Sequence, residues 1–77
     1  MITKDNAIAI ATVHLPKKYE KPQFLQAVYS DSLEEFGQGV SGWRVWFRLV
    51  DSDFGTYDRP VEVCESTGKA KLVKVML

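Results

Sequence analysis

Apolar positions recur along this chain with two different periods. Ala7, Ile8, Ile10, Ala11 and Leu15 fall at the spacing of one broad helical face. Thr3 stands where a cap is needed, Asp5 lies in the first turn, and Ile2 and Ala7 occupy the staple positions around that cap. Pro16 disfavours helical geometry at Leu15, so the helix is expected to end there. Its small residues suit close packing against a sheet.

From Trp43 onward the period is two. Trp43, Val45, Phe47 and Leu49 alternate with Arg44, Trp46, Arg48 and Val50, which predicts a strand whose first set is core. Asp51 to Asp58 reads as a loop. Val61 and Val63 alternate with Glu62 and Cys64 in a second strand, with Pro60 at its first position, where a missing N–H is tolerated. Thr67-Gly68 reads as a tight hairpin turn, Gly68 supplying the positive φ. Ala70 to Leu77 is then the last strand, and its change of apolar phase between Leu72 and Val73 predicts a bulge or burial on both faces.

Between the helix and these strands the pattern is less decisive. Lys17 to Pro22 is a polar connector bounded by prolines. Gln23 to Tyr29 fits a helical stripe (Phe24, Leu25, Val28, Tyr29) and a short aromatic strand equally well. Ser32-Leu33-Glu34-Glu35 is a capping-box pattern that predicts a short helical turn toward Phe36. Gly37 to Gly42, with three glycines, reads as a flexible loop. The whole is one domain, residues 1–77, of α+β class: an N-terminal helix packed on a curved antiparallel sheet of three to four strands.

Composition narrows the function classes. Ten basic residues balance ten acidic ones, which removes the long-range field that steers nucleic-acid binders and lowers repulsion between copies. A monomer or weak homodimer is expected. Cys64 is the only cysteine, so no internal disulfide can form and a reducing compartment is indicated. The apolar run Ala7–Leu15 is too short to span a bilayer. It holds His14 and reads as a domain helix rather than an export signal. The expected location is cytoplasmic, with no membrane partner.

Several strings imitate catalytic motifs without their context. Gly37-Gln38-Gly39-Val40-Ser41-Gly42 matches G-x-G-x-x-G, but a strand rather than a helix is predicted to leave it. Asp53-Phe54-Gly55 repeats the letters of the kinase magnesium motif in a chain far too short for a kinase. Asp51, Asp53 and Glu62 coincide with calcium-loop positions one, three and twelve, yet Thr56 replaces the required glycine and Pro60 interrupts the run. His14 and Cys64 are the only possible Cys-His dyad, and each has a structural reading, at a helix end and on a strand. Zinc wants about four ligands of these types. Neither a metal nor a cofactor is predicted, and no catalytic residue.

Arg44, Trp46 and Arg48 are the most informative surface set. Tryptophan and arginine are enriched at binding hot spots, and the guanidinium can stack on the indole. The same set could stack single-stranded bases, or the arginines could simply pair with Glu62 and nearby acids while the N-terminal region covers Trp46. Phe54 and Tyr57, in the loop at one end of the sheet, could extend the surface.

The strings Thr3–Ala11, Trp43-Arg44-Val45-Trp46-Phe47 and Val61-Glu62-Val63 leading to Thr67-Gly68-Lys69 resemble two groups of small domains. One is the PepSY-type domains; the other is the bacterial immunity proteins of nuclear-transport-factor (cystatin-like) fold. The resemblance covers about half the chain and implies a helix lying across a curved antiparallel sheet, with Gln23–Tyr29 as a strand. It also implies a non-catalytic role: binding and neutralising a toxin, or binding or inhibiting a peptidase. The chain lacks the extra helices of the full cone-shaped fold and the export signal usual for PepSY domains, and the matching positions carry over no functional residue. The expected function is a non-enzymatic protein-binding or inhibitory module of immunity-like type, whose partner is a protein such as a toxin or peptidase. A small-ligand or single-stranded nucleic-acid binder using Arg44, Trp46 and Arg48 is the alternative.

Overall fold

The computed structural model describes residues 1–74. Helix α1 (Lys4–His14) is followed by strands β1 (Glu20–Ser30), β2 (Gly42–Asp51), β3 (Gly55–Cys64) and β4 (Ala70–Leu72). The strands pair antiparallel in chain order to form one open four-stranded sheet. The α+β class and the helix-on-sheet arrangement are therefore those expected from the hydrophobic pattern.

Local chemistry sets the helix ends. Thr3 accepts the Asn6 N–H at 3.2 Å, and Leu15 is extended ahead of Pro16. Ala7 and Ala11 are completely buried, and their small side chains let α1 settle mainly on β2, β3 and β4. The core is completed by Leu15, Tyr19, Val45, Phe47, Leu49, Val61 and Val63. Trp43 is only partly covered; its indole N–H donates to Ile2 O at 3.3 Å, tying the helix entry to β2.

Gln23–Tyr29 is strand, within β1. Register shifts at Glu20/Gln23 and Phe24/Gln26 mark irregularities of the kind that bend a strand. No residue of β1 is buried.

Several boundaries differ from the sequence reading. First, Asp51–Asp58 is not a loop. Asp51 Oδ1 accepts the N–H groups of Asp53 (2.7 Å) and Phe54 (3.3 Å), and Gly55 takes φ +83°. That tight turn lets β2 and β3 pair up to Asp51↔Gly55. Second, Pro60 therefore lies mid-strand, opposite Trp46. Its carbonyl accepts the Val73 N–H at 3.1 Å, and the Val73 carbonyl receives Arg59 Nε at 2.6 Å instead of the N–H that proline lacks.

Third, Gly42 opens β2 instead of belonging to a loose loop. A Cβ there would collide with Val63 O and come within 2.9 Å of Leu33 Cδ1. Fourth, residues 34–36 form a turn but no helix, because their amides are drawn to a side chain on β3. The Thr67-Gly68 turn is as expected, with Gly68 at φ +76° donating to Cys64 O at 2.9 Å. β4 ends at Leu72; Val73 is buried, and positions 75–77 of the predicted strand lie outside the described residues.

Candidate functional site

Alternation along β2 and β3 sorts the candidate residues onto two faces. Even-numbered residues of these strands point away from α1. Arg44 opposes Glu62, Trp46 opposes Pro60, and Arg48 opposes Asp58. Tyr57 opposes the core residue Leu49, so it lies on the helix side. The structure thus brings Arg44, Trp46 and Arg48 together and separates them from Tyr57, while Phe54 sits at the β2–β3 turn, 64% exposed.

Arg44 is committed to the fold. Its Nη2 and Nε donate to Glu62 Oε2 at 2.8 and 3.0 Å. Glu62 is fully buried, and its carboxylate also accepts the N–H groups of Glu34 (3.0 Å) and Glu35 (2.8 Å). The 31–41 loop is thereby fastened over this end of the face. Leu33 is buried beneath it, and Lys71 Nζ reaches Glu35 O at 3.1 Å across the Phe36 ring.

Beyond that loop the face is open. Arg48 pairs with Asp58 at 2.9 Å in an exposed bridge, and the carboxylate raises the guanidinium's pKa through that hydrogen bond. Trp46 is half-buried between these two ion pairs. The N-terminal segment does not cover it, since α1 lies on the opposite side of the sheet. Val28, 43% exposed, lies diagonally across from it on β1, opposite Arg44, and Val50, 44% exposed, lies on the same face of β2 beyond Arg48. A hollow of about 250 Å³ bordered by Glu34, Arg44, Trp46, Asp58 and Pro60 adjoins the indole.

Tyr57 and Phe54 belong to a second hollow of about 420 Å³, on the helix side, with Lys18, Tyr19, Asp51, Arg59 and Lys74. The Tyr19 and Tyr57 hydroxyls are 3.0 Å apart, and Arg59 Nη1 donates to Tyr19 at 2.9 Å. The Tyr19 hydrogen bond, followed by burial, raises the Tyr57 pKa. Asp51 is held below the usual carboxylate range by the Asp53 N–H first, with Lys18 at 3.6 Å contributing less. The sequence reading did not single out Tyr19, Arg59 or Lys18. Starting β3 at Gly55 would have revealed Tyr57 and Arg59 as neighbours on one face.

Cys64 and His14 lie apart. Cys64 Sγ is 3.3 Å from Ser66 Oγ, and the Ser66 and Thr67 hydroxyls lower its pKa to about 7. The adjoining Glu65 accepts the Ile2 N–H at the start of α1, whereas His14 ends that helix about 16 Å away along its axis. The G-x-G-x-x-G string runs into β2 with no following helix. Among the described residues no helix is long and apolar enough to cross a membrane.

No family model matches this chain, and neither does any curated protein or solved structure among those compared.

Proposed function

We propose that this chain is a non-enzymatic protein-binding module that engages its partner with the sheet face opposite α1, centred on Trp46. The observation that carries this reading is the one-sided cover of the sheet: the far face keeps Trp46, Val28 and Val50 in reach of solvent. A half-buried tryptophan in a firm surround can be covered by a partner at little entropic cost, and it is a frequent binding anchor. Arg44 serves as the fixed wall of that surface, and Arg48 with Asp58 as a polar rim.

An inhibitory role, with a toxin or peptidase as the protein bound, is the form of this reading that the sequence resemblance implies. Trp46→Ala and Arg48→Ala should each weaken capture of a specific partner while leaving the circular dichroism and melting curve close to wild type. Retention of every partner by both variants would overturn the reading.

A second reading is small-ligand binding, favoured by the aromatic hollow around Phe54, Tyr57 and Tyr19 with its Lys18, Arg59 and Lys74 cations. A small anion that shifts the melting curve of wild type but not of Tyr57→Ala would support it. Single-stranded nucleic acid on the Trp46 face would instead quench tryptophan fluorescence in a salt-dependent way.

A further inference from the structure

The two edges of the sheet are protected unequally. β4 is three residues long, and Lys69, Lys71 and Lys74 lie in or beside it, the charged, short form that resists pairing with another chain. β1 is eleven residues long, and from Pro22 to Ser30 it carries no charge. Its irregularities fall between Glu20 and Gln26, leaving Gln26–Ser30 in regular register. Phe24, Val28 and Tyr29 are 43%, 43% and 48% exposed.

The backbone orientation of that edge follows from the opposite end of the sheet. Val73 N–H donates to Pro60 O and Cys64 N–H to Lys69 O, so even-numbered residues of β3 turn their backbone groups toward β4. Neighbours along a strand alternate, and directly opposed residues of an antiparallel pair share one orientation. Carried through Val45↔Val61 and Val28↔Arg44, this alternation leaves the N–H and C=O groups of Ala27 and Tyr29 at the open edge of β1.

We infer that β1 pairs antiparallel with β1 of a second copy of this chain, on a two-fold axis through Val28. In that register Ala27 of each copy meets Tyr29 of the other, the residues whose backbone groups are free. Each large Tyr29 lies opposite a small Ala27, Val28 meets Val28, and no charged residue opposes a like charge. A zero net charge adds no repulsion between the copies. The joined strip is short: only Gln26–Ser30 of each copy overlap, over roughly 17 Å, too little to bury the about 800 Å² per partner of a standard interface. The dimer is therefore concentration-dependent, in the micromolar range or weaker. Both Trp46 faces would then lie on one side of a continuous eight-stranded sheet, three strand spacings (about 14 Å) across and four residues (about 13 Å) along the strands from one another, roughly 20 Å apart, presenting two binding centres to one partner.

The test uses sedimentation equilibrium with cysteine cross-linking in a Cys64→Ser background. Val28→Cys is expected to form an intermolecular disulfide, and Val50→Cys, equally exposed but away from the edge, is not. Ala27→Pro removes an N–H that β2 does not use, and Val28→Lys opposes two like charges at the axis. Both are expected to sediment as folded monomers, while Trp46→Ala remains in the dimer. Wild type that stays monomeric at about 1 mM, where even a weak interface is populated, would overturn the inference. So would cross-linking equal at positions 28 and 50, or a dimer that persists in Val28→Lys.

Discussion

Arg44 and Glu62 face one another across β2 and β3, and both the Nε and the Nη2 of the guanidinium donate to the same carboxylate oxygen, Oε2. With the Glu34 and Glu35 amides, Glu62 gathers four donors around a carboxylate that has no solvent exposure. A buried anion is tolerable only with such complete pairing. Glu62 thus joins the sheet to the 31–41 loop and holds Arg44 rigid beside Trp46.

Removing the carboxylate should be among the costliest single changes. Glu62→Ala is expected to lose about 3–5 kcal/mol, against a total margin of about 4–12 kcal/mol for a chain of this size. The paired replacement Arg44→Met with Glu62→Leu should recover only part, because the Glu34 and Glu35 N–H groups remain without acceptors, at about 1–3 kcal/mol each. Urea unfolding of the three proteins measures the order.

Gly42 should be equally intolerant for a steric reason. Its missing Cβ leaves room for Val63 O and Leu33, so Gly42→Ala is expected to cost about 3 kcal/mol or more. At Gly37 the surrounding space is open, and the penalty is that of a positive φ alone, about 1 kcal/mol. Thermal melts of the two variants should differ accordingly.

Cys64 gives a pH dependence. Its thiol titrates near pH 7 in the folded chain, below its ordinary range, through hydrogen bonds first from Ser66 and then from Thr67. A depressed folded pKa favours the folded state once the thiolate forms, so this contribution grows as pH rises from about 7 toward 9 and vanishes below 7. Ser66→Ala should flatten that slope and move the midpoint of thiol alkylation upward; an unchanged midpoint would remove the role given to Ser66.

The parts of the fold legible in the sequence were those set by local rules. The Thr3 cap, the Pro16 stop, the β2 alternation and the Gly68 turn each depend on a few adjacent residues. What failed depended on partners far along the chain. Ser32–Glu35 carries a helix-start pattern, but Glu62 captures its amides. Pro60 looked like a strand start because its compensation comes from Arg59 reaching Val73. The candidate surface was legible as alternation through Arg44, Trp46 and Arg48. That Tyr57 faces the other way followed only from extending β3 back to Gly55, which the Asp51 turn makes possible.

The central claim, that the sheet face opposite α1 is the binding surface, is tested most directly by site-specific photo-cross-linking in the native host cell. A benzophenone side chain at Gln26, opposite Trp46 in the β1–β2 register, is compared with one at Val13, 87% exposed on the helix. A discrete cross-linked protein other than a second copy of this chain is expected from position 26, absent from position 13 and lost in Trp46→Ala. The same products from both positions, or products with other proteins that are indifferent to Trp46, would contradict the claim.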